Sequence, residues 1–328
     1  MLRRPSAPCG SAATPDGLAG AGSLLTRMLH LSSGLQPGGR FDQWRRPPVR
    51  AVFLDVDGTS LGEHEEPTAA FVDACQAVQD RGATLSFATG RPPAGVDVVR
   101  KYTGSRGADV VHNGALVLEG GTPIGGWPMP AAVAARIAQW SLDHQVYAEF
   151  AVGSDFLVSD CREVARPAFD DIAGGPDGAV ADIDLTAAET FKITIYAFEQ
   201  EHGPAAVALG EELGLHVDPS TAPIFPGVNI LNLTASGISK GNGVEWAARR
   251  AGIPARELLV VGDSGNDVSM FGVAGTAVAM GQASAEVKAA AHLVTEPFDD
   301  DGCALALHAL LDHVVSVDTD AVPEAAAS

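Results

Sequence analysis

The chain has 328 residues, 46% of them hydrophobic and 19% charged; that supports a large core and two globular domains and excludes a disordered protein. Its net charge of −20 is unevenly spread, because residues 1–50 carry seven Arg against Asp16 and Asp42, or +5, leaving −25 for the remaining 278. So acidic a body excludes nucleic acid as a partner, but surface fields are screened beyond about 8 Å and do not exclude a small phosphorylated molecule.

Residues 1–47 are rich in Gly, Ser, Pro and Arg and show no sustained periodicity. They read as a disordered extension, an upstream start, or a transit-like segment of similar composition, and are left out of the predicted fold. An α/β alternation then begins. The pattern predicts a strand over 49–55, a helix over 68–80 with Ala70, Phe71, Ala74, Ala77 and Val78 on one face, and a strand over 83–88. A helix over 92–102 starting with Pro, a strand over 108–112 and a hairpin of 115–118 with 122–127 follow, set off by the turn signal Asn113-Gly114. Trp127-Pro128-Met129-Pro130 reads as a linker.

The order then changes to a helix (131–144), paired strands (146–152, 155–159), a strand (190–198), a helix (204–213) and strands near 215–217 and 229–233. We read 128–234 as an inserted second domain between two halves of the first, 48–127 and 235–314, with 315–328 a frayed tail. The second half alternates helix (240–251), strand (258–262), helix (267–273), strand (277–280), helix (284–291), a short strand (292–294) and helix (302–314). No apolar run approaches the roughly 18–20 residues of a membrane span, so no membrane partner is expected. Cys9, Cys75, Cys161 and Cys303 are scattered without a Cys-x-x-Cys pair, which argues against a disulfide framework or zinc site and fits a reducing cytoplasm.

Two acidic clusters two hundred residues apart carry the chemistry: Asp55-Val56-Asp57-Gly58-Thr59 and Gly262-Asp263-Ser264-Gly265-Asn266-Asp267. Each follows a buried-strand run, and an open parallel sheet gathers ligands beyond the carboxyl ends of its strands. Four carboxylates would then meet in one crevice and need a cation or a shared proton. Hard oxygen ligands without clustered His or Cys favour Mg²⁺.

Asp55, ending its strand, is the natural nucleophile, and Asp57, two residues on, the acid and base. Gly58 permits the tight turn and Thr59 could brace it, although the whole motif also suits a plain strand-ending turn. The hydroxyl and amides of Thr89-Gly90 could hold phosphate oxygens, or Thr89 could simply cap a helix. Arg91 could reach a substrate or form a surface ion pair.

Lys240 is one of only four lysines against seventeen arginines, and it opens a helix, where the macrodipole disfavours it. The position suits an ammonium that neutralises Asp55 and an incoming phosphate; a solvated Lys is the alternative. Asp263, at the strand end, is the firmer metal ligand. Asp267 could ligate directly, act through water, or hold Lys240, and Asn266 would orient these groups beside the phosphate.

The order Asp-x-Asp, Thr, Lys, Asp…Asp resembles the haloacid dehalogenase (HAD) superfamily of phosphohydrolases. Asp55–Thr59, Thr89, Lys240 and Gly262–Asp267 look like its four motifs over roughly residues 50–314. Ala88-Thr89-Gly90-Arg91 and Asn113-Gly114-Ala115 ahead of the insertion resemble the Cof-like branch. The resemblance implies an α/β fold, with a Rossmann-like parallel-sheet core and an inserted α/β cap of type IIB. It implies Mg²⁺ held by Asp55, the backbone carbonyl of Asp57 and Asp263. Ser60 departs from the family, which more often has an apolar residue there.

The expected function is a Mg²⁺-dependent phosphatase for small phosphorylated metabolites such as sugar phosphates, working through an aspartyl-phosphate. A phosphomutase of the same superfamily is the alternative. A phospho-binding receiver module is disfavoured, because Lys240 lies 240 − 55 = 185 residues beyond Asp55 with a lid-sized insertion between.

Overall fold

A computed structural model describes residues 34–62, 66–153, 155–159, 176–220, 225 and 227–316. The strands of its first part are β1 (Gln36–Pro37), β2 (Ala51–Leu54), β3 (Thr84–Phe87), β4 (Asp109–Val111), β5 (Leu116–Glu119) and β6 (Thr122–Gly126), with helices α1 (Ala69–Asp80) and α2 (Pro93–Thr103). The middle holds α3 (Ala131–Asp143), β7 (Tyr147–Val152), β8 (Asp155–Val158), β9 (Gly178–Ala179), β10 (Thr190–Ala197), α4 (His202–Glu212), β11 (His216–Ser220) and β12 (Asn229–Thr234). The last part runs α5 (Lys240–Arg250), β13 (Leu258–Gly262), α6 (Val268–Val273), β14 (Thr276–Ala279), α7 (Ala285–Ala290), β15 (Leu293–Val294) and α8 (Gly302–Ala309).

The first sheet has the order β1-β15-β14-β13-β2-β3, parallel throughout except for β1. Its central strands, Ala51–Leu54 and Leu258–Gly262, are buried along their whole length, as expected of a parallel sheet covered on both faces. Val52, Leu54, Val261 and Val278 pack on one side with Phe71, Ala74, Cys75 and Val78 of α1 and Leu307 of α8, while Phe53, Val260 and Ala277 pack on the other with Val244, Ala247 and Phe271. Thr68 caps α1, its hydroxyl accepting from the Phe71 amide at 3.2 Å, a bond worth about 1 kcal/mol. Strands β2 and β13 are neighbours in register, Leu54 beside Val261, so both acidic clusters leave the sheet at the same edge.

The predicted α/β class and its elements are present with end shifts of a residue or two, except that β11 runs three residues further, to Ser220, and the last helix stops at Ala309 and gives way to a turn at Leu311–His313. Residues 34–47 correct the reading of 1–47 as disordered. Gln36 and Pro37 pair with Val294 and Leu293, and Leu35, Phe41 and Trp44 are buried in the first core. The Trp44 Nε1 donates to Thr276 Oγ1 at 3.0 Å, and Arg40 Nη1 donates to the Phe271 carbonyl at 3.0 Å. Three apolar residues at irregular spacing give no periodic signal, yet each buried aromatic contributes about 2–3 kcal/mol, and Pro37 sits where proline is tolerated, on an edge strand. Residues 1–33 and 317–328, and with them most of the predicted extension and tail, lie outside the described residues.

The second sheet has the order β11-β12-β10-β7-β8-β9. Ile193, Ile195, Phe150, Leu231 and Leu233 point to one face, where they pack against Ile137, Ala134, Ala206 and Leu209 of α3 and α4. The opposite face carries Lys192, Thr194 and Tyr196 of β10, Tyr147 and Glu149 of β7, and Ile230 and Asn232 of β12, as the pairing of Thr194 with both Glu149 and Asn232 requires. A small antiparallel sheet β4-β5-β6 lies between the two, with Trp127 and Trp246 edge to face at 5.5 Å. Among the described residues no helix is long and apolar enough to cross a membrane.

Candidate active site

Lys240 is the centre of the site. Ser239 caps α5 by accepting from the Asn242 amide, which sets Lys240 as the first helical residue, and the Gly241 amide donates to Ser269 Oγ at 3.0 Å, tying that helix start to α6. The ammonium is buried and donates to Asp55 Oδ1 at 2.8 Å and Asp267 Oδ1 at 2.6 Å. Burial opposes its charge, but the Asp267 and Asp55 carboxylates outweigh that and hold its pKa above the ordinary lysine value. The solvated alternative for Lys240 is thereby overturned. Burial, followed by the charge of Asp267, pushes Asp55 well above the usual carboxylate range, with Lys240 opposing.

Asp267 is the anchor. Its Oδ2 accepts from the amides of Asp263 and Ser264, each at 2.9 Å, and from Ser264 Oγ at 3.2 Å, forming a capping box. Both of its oxygens are therefore engaged, which favours the holding role over direct metal ligation. Asp263, one residue past β13, is freer: its Oδ1 is buried with no hydrogen-bond partner, and its Oδ2 accepts from Gln282 Nε2 at 3.3 Å. Burial and Asp267 push its pKa up to about 6.

Gln282 was not foreseen from sequence. Its amide also donates to the Gly58 carbonyl at 2.6 Å and so joins the two acidic loops. The available signal was its place just beyond the carboxyl end of β14, at the same sheet edge.

The Asp57 loop turns tightly, with Gly58 at φ 72° and its amide donating to the Leu61 carbonyl at 2.9 Å. Thr59, expected to brace this turn, has a buried hydroxyl without a partner; the brace is Ser60, whose Oγ donates to the Asp55 carbonyl at 2.6 Å. The departure from the family at Ser60 is thus a hydrogen bond to the backbone of Asp55. The Asp57 carboxylate does not join the acidic group. It is largely exposed and receives Arg91 Nε at 3.0 and 3.1 Å and Nη2 at 2.7 Å. Of the four carboxylates expected in one crevice, three converge, and Arg91 takes the ion-pair alternative.

Thr89 is fully buried, and its hydroxyl accepts from the Arg91 amide at 3.1 Å. The first residue flanking α2 is Pro92, so Thr89 closes a turn ahead of the helix and does not cap it. A β-carbon at Gly90 would meet Asn113 Oδ1 at 2.8 Å, so any other residue here would have to displace the Asn113 side chain. Asn266 Nδ2 donates to the same Asn113 oxygen at 3.2 Å, while Asn266 Oδ1 accepts from Ser264 Oγ at 2.7 Å. Asn113, at φ 55°, therefore links the Thr89 turn to the second acidic loop, a role that its turn signal did not disclose.

The second sheet contributes Lys192, whose Nζ donates to the Gly90 carbonyl at 2.8 Å. Burial lowers its pKa to about 8, with Glu149 and Asp57 opposing. Sequence reasoning missed it, although the scarcity of lysine that singled out Lys240 applies equally to Lys192. Asn232 shares the Lys192 face, whereas Asn229 turns to the other face toward Gly203 of α4.

Asp55, Asp263 and Asp267 each offer an oxygen within 4.8 Å of the others. An all-carboxylate group of this density, with the Asp263 Oδ1 unsatisfied and two pKa values raised by burial and then by the charge of Asp267, fits a divalent cation.

The chain matches the haloacid dehalogenase-like hydrolase family over residues 52–307. It is 25% identical over 283 residues to the phosphatase YxeH of Bacillus subtilis, covering 80% of this chain and 98% of the relative. It is 25% identical over 255 residues to a phosphoglycolate phosphatase of Methanoculleus marisnigri, covering 77% and 93%. Among solved structures, the HAD subclass IIB sugar phosphatase BT4131 superposes with a TM-score of 0.69 at 25% identity, covering 79% of this chain and 98% of that one. The match spans the acidic loops, the buried lysine and the inserted sheet together, and the chain belongs to the haloacid dehalogenase-like hydrolase family.

Proposed function

We propose that the protein is a Mg²⁺-dependent phosphatase for small phosphorylated metabolites, with sugar phosphates or similar monoesters as its substrates. The observation that carries this reading is the buried Lys240 bonded to both Asp55 and Asp267 beside an underbonded Asp263. Lys240 occupies Asp55 Oδ1, which leaves Oδ2 to attack phosphorus in line. The P–O bond to the leaving group breaks, its electron pair stays on the leaving oxygen, and Asp57, entering the step protonated and released from Arg91, supplies the proton. Asp57 then takes a proton from water, whose oxygen attacks phosphorus and releases Asp55 as a carboxylate.

Thr89 and the Gly90 turn are positioned to hold phosphoryl oxygens, and Asn266 keeps Asn113 in place beside them. Mg²⁺ held by Asp55, the Asp57 carbonyl and Asp263 would offset the charge gathered on the phosphoryl oxygens. Residues 128–234 act as the cap that excludes water and selects the leaving group, with 48–127 and 235–314 forming the core.

Similarity to a sugar phosphatase and a phosphoglycolate phosphatase supports small monoesters as the class. Purified protein with Mg²⁺ is expected to release phosphate from an aryl phosphate and from a panel of phosphorylated metabolites, and to stop on addition of chelator. Full activity in the presence of chelator, or none on any monoester, overturns the proposal.

A further inference from the structure

Lys192 is an ionisable side chain with which the second sheet reaches the turn after Thr89, and its surroundings are unusual for an ammonium. It sits on β10 in the middle of the sheet, on the face turned away from α3 and α4. Nζ carries three N–H donors, yet among the described residues its one hydrogen-bond partner is the neutral carbonyl of Gly90, at 2.8 Å. Glu149, on the same face of β7, is committed elsewhere, since its Oε1 accepts from Tyr147 Oη at 3.0 Å. Glu149 is itself buried, and burial raises its pKa to about 7, with Lys192, Tyr147 and Tyr196 opposing.

The Gly90 carbonyl that it meets belongs to the turn after Thr89, and a β-carbon at Gly90 would lie 2.8 Å from Asn113 Oδ1 and 3.8 Å from Asn266 Nδ2 of the second acidic loop, which places Lys192 beside the reacting loops and not out along the leaving group. A desolvated cation with donors to spare, fixed by one bond to the turn that follows Thr89, is built to receive an oxyanion.

We propose that Lys192 is a catalytic residue supplied by the cap, donating to an oxygen of the transferring phosphoryl group from the side opposite Lys240. This rests on the phosphatase reading and deepens it: the second sheet then contributes to the chemical step as well as to selectivity, and the site is complete only while the Lys192–Gly90 contact is made. The bond to the Gly90 carbonyl sets the position of the ammonium, and the remaining donors meet the substrate.

The test uses inorganic phosphate, which has no leaving group. Wild-type turnover of an aryl phosphate first establishes the phosphatase reading independently. In Lys192→Met, kcat is expected to fall about 100-fold on every substrate, aryl phosphate included, the scale of losing one preorganised donor. Inhibition by inorganic phosphate should weaken about tenfold. Unchanged phosphate inhibition, with losses confined to KM for bulky substrates, assigns Lys192 to the leaving group and overturns the proposal. Should Lys192→Met fail to fold, Lys192→Gln keeps the polar contact to Gly90 without the charge and carries the same expectations.

Discussion

Lys240 and Lys192 put the same side chain into the two halves of one site, and the two sheets treat it in opposite ways. At the mouth of the parallel sheet, Lys240 has two carboxylates as fixed partners, and its charge is secured despite complete burial. On the second sheet, Lys192 has one neutral carbonyl, and burial brings its pKa down to about 8. A buried charge is stable only where its partners exceed its desolvation cost. The contrast therefore separates a cation that holds the machinery together from one whose missing partner is the substrate.

The largest effect that bears on this contrast is at the shared carboxylate. Asp55→Asn is expected to lower phosphate release by about 10⁴-fold or more, the scale of removing a nucleophile, while Lys240 keeps its bond to Asp267 and the fold survives. Near-wild-type turnover would remove Asp55 from the mechanism. The lysines themselves come next. Lys240→Met leaves Asp55 and Asp267 buried together without their cation and should cost about 3–5 kcal/mol in urea unfolding. Lys192→Met should cost less than about 1 kcal/mol, because the ammonium gives back its own desolvation. Equal losses at the two positions would erase the distinction.

What the sequence disclosed follows the same division. Asp55, Lys240, Asp263 and Asp267 each sit one step from a strand end or helix start, where residue type and position in the alternation are enough to assign a place. The parallel sheet was legible because its strands are short apolar runs. Lys192 lies inside an alternating strand, and nothing local says which face of a sheet will meet another domain. Gln282, Asn113 and the Asp57–Arg91 pair depend on how loops from different strands meet, and Trp44 on a long-range contact with Thr276. Such contacts leave no periodic trace.

A smaller expectation concerns the metal. Asp263→Asn alters the carboxylate of the converging three whose oxygen is buried without a partner and should raise the Mg²⁺ concentration for half-maximal activity about 100-fold, with stability little changed. An unaltered Mg²⁺ requirement would move the cation elsewhere. Lys192→Met should leave that requirement as in wild type, since Lys192 bonds to Gly90 and to none of the three converging carboxylates.

The smallest effect lies where the two regions meet. His112 is buried, its amide donates to the Arg91 carbonyl at 3.1 Å, and burial followed by the Lys192 charge lowers its pKa to about 3. An unfolded chain takes up that proton near the ordinary histidine value, so this contribution to stability is complete above it and is lost as pH falls toward the folded value. Between pH 7 and pH 5 the loss is about 2 kcal/mol. His112→Asn, which tolerates the left-handed backbone at φ 52°, removes it. Urea midpoints at the two pH values should therefore fall most in wild type and least in His112→Asn. Lys192→Met should track wild type over this interval, because burial is the larger cause of the shift and a folded value that stays well below 5 leaves the loss unchanged. A Lys192→Met midpoint that instead falls as little as that of His112→Asn would mean that the Lys192 charge, and not burial, keeps the imidazole neutral in the folded protein.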